Sequence, residues 1–262
     1  MGTREYLKTI PYGIEEKTLI IIPTYNEREN IVPLMSQLIE TVPGAHILVV
    51  DDHSPDGTGQ VVNDFSQRVS AHISVLERSG ERGLGRAYQA GLCYGIEQGY
   101  DILITMDADL SHNPVHLPAM LKELKTNDMV IGSRYIKDGG TINWRIRRIL
   151  LSWLANRFAR FMLNLKGSDL TSGFRAYRRT ILEKIRLDHV KSNGYSYLVE
   201  MLFRVQCQKA RIGEVPIIFF DRTMGDSKIS RKEVYRGILT LLRLRFTRDQ
   251  DSSSNHDTRN ET

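Results

Sequence analysis

Asp107-Ala108-Asp109 closes an apolar run, Ile102-Leu103-Ile104-Thr105-Met106. Carboxylates two positions apart on extended chain lie on the same side, where unpaired they repel one another. A divalent cation relieves that repulsion. Hard oxygen ligands in this number select Mg2+ or Mn2+, which keep waters and take their remaining ligands from substrate phosphates. Ser111 offers a hydroxyl that completes the shell directly or through water, whereas His112 by itself reads as a packed or capping residue. An isolated Asp-x-Asp is common on protein surfaces, so its meaning depends on its company.

Two other polar runs follow apolar ones. Pro23-Thr24-Tyr25-Asn26-Glu27 comes after Leu19–Ile22. There Tyr25 offers a flat face to a base and Glu27 an acceptor to its polar edge. By itself this run also reads as an ordinary strand-to-helix turn with Asn26 as cap. Val50-Asp51-Asp52-His53-Ser54-Pro55-Asp56 places adjacent acids at a second strand end, where alternation lets only one face a crevice readily. Asp52, beyond the last apolar residue, is the better acceptor for a ribose or base, and Asp56 reads as the cap of the next helix.

These runs need a scaffold that brings strand ends together. Short β-branched segments at Leu19–Pro23, His46–Asp52, Ile73–Glu77, Asp101–Asp107 and Met129–Ser133 alternate with helix-like segments. The latter fall at Arg28–Thr41, Gly57–Val69, Gly83–Gln98 and Pro114–Lys125. That rhythm predicts an α/β fold with a doubly wound, mostly parallel sheet, whose ligands sit at the carboxyl ends of the strands. Beyond Tyr135 come a turn at Asp138-Gly139-Gly140, a long amphipathic stretch over Trp144–Leu165 and a loop at Thr171–Phe174. A helix at Tyr195–Ala210, an apolar strand at Val215–Phe220 and a basic helix at Arg231–Phe246 follow. Three segments result: an N-terminal extension (1–16), one catalytic domain (17–246) with surface helices at about 142–165 and 231–246, and a polar tail (247–262) expected to be disordered.

Composition narrows the function. The chain has 262 residues, 41% hydrophobic and 26% charged, which excludes a wholly disordered or fibrous protein. Its 36 Lys and Arg against 31 Asp and Glu leave a net charge of +5, suited to an anionic substrate or membrane surface. No nucleic-acid motif is present, so that partner is not expected. Cys93 and Cys207 lack metal-ligand spacing, which points to a reducing, cytosolic setting. Met1–Lys17 has no apolar core and no run reaches about 18 apolar residues, so neither a signal peptide nor a spanning helix is expected. Arg82-Gly83-Leu84-Gly85 resembles the opening of a dinucleotide fingerprint, but Tyr88 fills the third small position and no acid follows at the required distance.

Taken in order, PTYNE, VDDHSPDGT and DADLSH resemble the inverting family 2 glycosyltransferases of GT-A fold. More narrowly, Gly132-Ser133-Arg134-Tyr135, Asp169–Arg175 and Asp221-Arg222 with Ser227-Lys228 resemble the dolichol-phosphate (polyprenol-phosphate) mannosyltransferases. The resemblance implies that Pro23, Tyr25, Glu27, Val50 and Asp52 hold the nucleoside of GDP-mannose. It places Asp107 and Asp109 on the metal with Ser111 as third ligand, where some relatives carry Gln, and the Ala108 backbone beside the nucleotide. It sets Arg134, Arg222 and Lys228 at the phosphates, and makes Asp109, Arg222 and Lys228 the catalytic set.

The acceptor implied is a dolichyl or polyprenyl phosphate. Trp144–Leu165 carries Trp and Phe among Arg145, Arg147, Arg148, Arg157 and Arg160, as a helix in a lipid interface does. Arg148 and Ser152, four apart on one helix face, would grip the acceptor phosphate together with Arg134. The expected protein is peripheral on the cytosolic face of a membrane: endoplasmic reticulum in a eukaryote, plasma membrane in a prokaryote. By the same resemblance, members with C-terminal spanning helices act alone, whereas this chain stops at a polar tail, as do relatives that depend on small membrane subunits, and such subunits are candidate partners.

Overall fold

The computed structural model describes residues 16–144, 146–220 and 237–246. The apolar runs become strands because each buries a continuous row of branched side chains, as parallel sheets covered on both faces require. Every residue of β1 (Thr18–Thr24) and of β5 (Met129–Ser133) is buried. With β2 (His46–Asp51), β3 (Ile73–Glu77), β4 (Ile102–Thr105), β7 (Arg175–Arg178) and β8 (Ile212–Pro216) they form a seven-stranded sheet in the order β3-β2-β1-β4-β7-β5-β8. All neighbours run parallel except β7, antiparallel to both β4 and β5.

Helices cover both faces. One apolar layer includes Ile31, Leu34 and Met35 of α1 (Arg28–Thr41) with Met120 and Leu124 of α4 (Leu117–Leu124). The other gathers Tyr88 and Leu92 of α3 (Leu84–Glu97), Leu163 of α5 (Ile146–Leu163) and Leu198 of α7 (Tyr195–Cys207). The expected doubly wound α/β fold is therefore present, with boundaries within a few residues for most elements. The second helix, α2, is shorter than expected, spanning Thr58–Ser66 after a left-handed Gly57 at φ 83°.

Two features depart from the expectation. Strand β7 falls on Arg-Ala-Tyr-Arg, whose polar ends conceal a central strand. Arg175 is fully buried because its guanidinium donates to the carbonyls of Ser172, Leu198 and Leu170 at 2.8, 2.7 and 2.7 Å. The strand expected at Val215–Phe220 is divided: β8 ends at Pro216, and β9 (Ile218–Phe220) pairs instead with β6 (Gly140–Ile142) in a separate two-stranded sheet. At the break the Ile217 N–H donates to Ser133 and its carbonyl accepts from Gly140. The short helix α6 (Arg179–Lys184) was also not legible.

Candidate active site

Strands β1, β2 and β4 end side by side, and each end is followed by a non-glycine residue in the left-handed region: Asn26 at φ 59°, His53 at 55° and Leu110 at 62°. Left-handed leucine is costly, on the order of 1–2 kcal/mol, and such strain gathers at functional turns. The turns swing Tyr25, Asp52 and Asp109 toward one another. A cleft of about 450 Å³ results, lined by Pro23, Tyr25, Glu27, Asp52, Asp107, Ala108 and Asp109. All the residues assigned from sequence to the donor side, apart from Val50, Arg134, Arg222 and Lys228, thus converge.

Val50 does not reach the cleft through its side chain, which is fully buried in the core. The reason is the alternation anticipated for this strand end: Asp51, buried, accepts from the hydroxyls of Thr24 and Ser54 at 2.7 and 2.6 Å, and Asp52 turns outward. Asp52 accepts from Arg78 and, at 2.9 Å, from the Gly83 N–H. Asp56 acts as expected, accepting from the Thr58 N–H at 2.9 Å at the start of α2. Glu27 rather than Asn26 occupies the cap position of α1. The opposite wall comes from Arg82, Gly83, Leu84 and Ala87, at the entry to α3. Arg82 lies 4.7 Å from the centre of the Tyr25 ring and donates to its hydroxyl. Sequence reasoning assigned Arg82 no role; the glycine-rich entry to a helix was the available signal.

The Asp107–Asp109 pair is held from below. Tyr88, buried, donates its hydroxyl to Asp107 Oδ1 at 2.6 Å. Burial first, then the neighbouring Asp107 charge, pushes the Tyr88 phenol well up, so the proton stays on it. A side chain at Gly173 would put its Cβ 2.9 Å from that hydroxyl and 3.3 Å from Asp107, so only glycine lets the loop approach. The Asp107 N–H donates to His112 Nδ1 at 3.0 Å. Burial lowers the His112 pKa despite the nearby carboxylates, and the accepted bond requires an unprotonated Nδ1, so His112 is a neutral packed ring rather than an ion-pair partner. It stacks on Phe174 with centroids 5.1 Å apart.

Ser111 takes a different place from the one expected. It is buried, and its hydroxyl and N–H donate to Asp109 Oδ1 at 2.5 and 3.1 Å. It lines neither cavity, and its two bonds orient the Asp109 carboxylate. Among the described residues no cluster of three or more His, Cys, Asp and Glu forms a closed metal cage. A pair of carboxylates such as Asp107 and Asp109 fits a hard divalent cation whose shell is completed by water and phosphate.

Asp107 and Asp109 also border a second cavity of about 450 Å³ on the other side. Arg134, Arg148 and Ser152 line its polar end; Leu151, Leu154 and Phe158 of α5 and Leu241 line its apolar length. Arg134 is clamped by the fully buried Asp169, to which Nε and Nη2 donate at 2.6 and 2.7 Å. Arg148 lies over the Trp144 ring, 4.1 Å from its centre. Ser152 accepts from the Tyr135 hydroxyl at 2.8 Å. Asn156, unread in the sequence, fastens α5 to this end: it accepts from the Leu170 N–H at 2.7 Å and is buried. Arg145, Arg222 and Lys228 lie outside the described residues, as do the N-terminal extension and the polar tail.

On its outer side α5 presents Ile146 and Phe161, each 82% exposed, with Leu150 and Trp153 also open. The helix contains Arg147, Arg148, Arg157 and Arg160 and no acid. No helix among the described residues is long and apolar enough to cross a membrane.

A doubly wound sheet thus carries a carboxylate pair between a polar cleft and an apolar groove, and comparison with known proteins identifies this architecture as the GT-A fold of glycosyltransferases. The family model for glycosyl transferase family 2 matches residues 19–186, and the chain belongs to that family. It is 44% identical over 227 residues to undecaprenyl-phosphate mannosyltransferase of Micrococcus luteus, covering 87% of this chain and 93% of the relative. It is 43% identical over 220 residues to polyprenol monophosphomannose synthase of Mycolicibacterium smegmatis, covering 84% and 83% respectively. In fold it is similar to glucosyl-3-phosphoglycerate synthase of Mycobacterium tuberculosis, solved with Mn2+, UDP and phosphoglyceric acid. The TM-score is 0.66 at 18% identity, over 88% of this chain and 79% of that one. The chain is a glycosyltransferase.

Proposed function

We propose that this enzyme transfers mannose from GDP-mannose to a polyprenyl or dolichyl phosphate with inversion, giving a polyprenyl β-mannosyl phosphate for lipid-linked glycosylation. The observation that carries the reading is the pair Asp107 and Asp109 shared by a polar cleft and an apolar groove. A charged sugar donor and a lipid acceptor need two such surfaces meeting at one reacting point. The names of the two relatives, one a mannosyltransferase and the other a monophosphomannose synthase, support the choice of sugar and acceptor.

In this reading Tyr25 stacks on the guanine, Glu27 and Asp52 accept from base and ribose, and Pro23 with the Ala108 backbone closes the nucleoside site. Asp107 and Asp109 would hold Mg2+ or Mn2+, which when bound supplies Lewis acidity to the diphosphate. Tyr88 and Ser111 keep the two carboxylates aimed. Arg148 and Ser152 seat the acceptor phosphate beside Arg134, whose pairing with Asp169 keeps its guanidinium plane fixed. A phosphate monoester has a second pKa of about 6, so at neutral pH it is already a nucleophile and needs no general base. Its oxygen bonds to the anomeric carbon from the face opposite GDP, the carbon–oxygen bond to GDP breaks, and the configuration inverts. Catalysis rests on positioning and charge neutralisation. The apolar face of α5 lies on the cytosolic leaflet, where each basic residue near an anionic surface contributes about 1 kcal/mol.

The test is transfer of labelled mannose from GDP-mannose to polyprenyl phosphate in detergent, with Mg2+, Mn2+ or EDTA. Metal-dependent label in the lipid phase that β-mannosidase releases is expected. Exclusive turnover of UDP-glucose in a donor panel would refute the assignment of the sugar. Activity only when native membranes are added would identify dependence on a membrane subunit.

A further inference from the structure

The carboxylate of Glu200 takes no part in the chemistry above, yet it is fully buried. It accepts from the N–H and hydroxyl of Ser192 at 3.0 and 2.5 Å and from Arg204 Nε and Nη2 at 3.1 and 2.8 Å. The Lys191 N–H adds a longer bond at 3.4 Å, and a further partner comes from elsewhere in the chain: Arg243 donates to Oε2 at 2.5 Å and to the Ser192 hydroxyl at 2.9 Å. Arg243 belongs to the helical residues 237–246, of which Ile238, Thr240 and Leu241 line the apolar groove.

Among the described residues its apolar anchors are few. Leu241 and Leu244 enter the core, while Ile238, Leu239, Leu242 and Phe246 are exposed. Most helical stability in proteins comes from tertiary packing, so tertiary anchors decide where this segment sits. Burial of the two leucines is non-directional, so it sets depth without by itself fixing rotation or sliding along the groove. An arginine bound to two acceptors removes that freedom, because a guanidinium donates in a fixed plane. Thr240, one turn from Arg243, also approaches the Ser192 hydroxyl, at 3.5 Å.

We propose that Glu200 is a positioning residue for the acceptor: through Arg243 it latches residues 237–246 in place as a wall of the lipid groove. This rests on the reading of that groove as the acceptor site. Ionisation of Glu200 is consistent with the role. Burial alone would raise its pKa, but the bonds from Ser192 and Arg204 and the charges of Arg243 and Arg204 outweigh it and hold the carboxyl below its ordinary value.

The test uses the full chain carrying Glu200→Gln or, to spare the buried position, Arg243→Met. Hydrogen exchange and steady-state kinetics are followed with a long polyprenyl phosphate and with short, soluble citronellyl phosphate. Expected are faster exchange at 237–246 in both variants and a KM for the long acceptor raised about tenfold, equivalent to roughly 1.4 kcal/mol. The KM for GDP-mannose and for the short acceptor should stay within about twofold, a shift of only some 0.4 kcal/mol. Arg243→Lys should recover part of the loss, as a cation that keeps one of the bonds. Unchanged exchange at 237–246 in an active protein overturns the latch. Faster exchange with an unchanged long-acceptor KM, or with equal shifts for both acceptors and the donor, overturns the positioning role. Failure of the wild type to transfer to any polyprenyl phosphate overturns the acceptor reading itself, and exchange at 237–246 then still reports whether the latch exists.

Discussion

The polar cleft and the apolar groove share Asp107 and Asp109 but are assembled by different means. The cleft is made by turns at the ends of parallel strands, so its acids project from the most rigid part of the fold, a sheet buried on both faces. The groove is made between helices, α5 and 237–246, that expose many apolar residues. A rigid polar site suits a ligand recognised by directed hydrogen bonds. A groove with exposed apolar walls suits a long flexible lipid, whose affinity grows with area and needs little direction. The charge follows the same division. Acids dominate the cleft, where a cation is to be held, and arginines stand at the head of the groove, where a phosphate monoester is to arrive.

The division predicts that substitutions in one region leave the other's constants alone, except at the shared pair. Asp109→Ala should break both: loss of charge stabilisation at the leaving group is expected to lower kcat by about 10³-fold, or some 4 kcal/mol. Near-normal turnover in Mg2+ or Mn2+ would remove Asp109 from the centre. Arg148→Ala should act on one side only. A charge-assisted hydrogen bond is worth roughly 1.5–3 kcal/mol, so the acceptor KM should rise by about 10–100-fold with the GDP-mannose KM unchanged. A shift in the donor constant instead would show that the regions are not separable.

Tyr25→Ala is the converse. Losing a base stack worth about 1–2 kcal/mol should weaken GDP binding in calorimetry by roughly tenfold and leave the acceptor KM alone. The smallest expected effect at neutral pH concerns stability. Glu200, with a pKa lowered in the fold, contributes stability that is fully present above its ordinary carboxyl value and lost as pH falls through the folded value. The advantage of wild type over Glu200→Gln, about 1 kcal/mol in urea unfolding, should therefore hold from neutrality down to about pH 4.5, decline below it and be lost once pH falls through the lower folded value. An advantage independent of pH would show that packing rather than charge holds this corner.

Much of the cleft was legible because strand ends write themselves into a sequence. An apolar run that stops at Asp or Pro places the next side chains at the sheet edge, and parallel topology brings those edges together. Asp51 and Asp52 were separable by alternation alone. Nothing local shows that the Ser111 hydroxyl turns down onto Asp109, or that the Val50 side chain, so close to the ligand edge, still points into the core. Strand β7 escaped notice since its central position requires the Arg175 guanidinium to be satisfied by backbone carbonyls, two from the loop just before it and one from Leu198 of α7.

By itself the sequence determined the fold class, the carboxylate pair, the basic and apolar character of α5, and the converging polar turns, because these depend on residue type and short-range period. Only the tertiary structure decided which residues meet. Tyr88 beneath Asp107, Asp169 behind Arg134, Asn156 against Leu170 and Glu200 against Arg243 are pairs separated by between 14 and 43 positions. Their bonds form because burial removes water and leaves each polar group only the partners that packing supplies, and chain order does not record which surfaces packing will bring together.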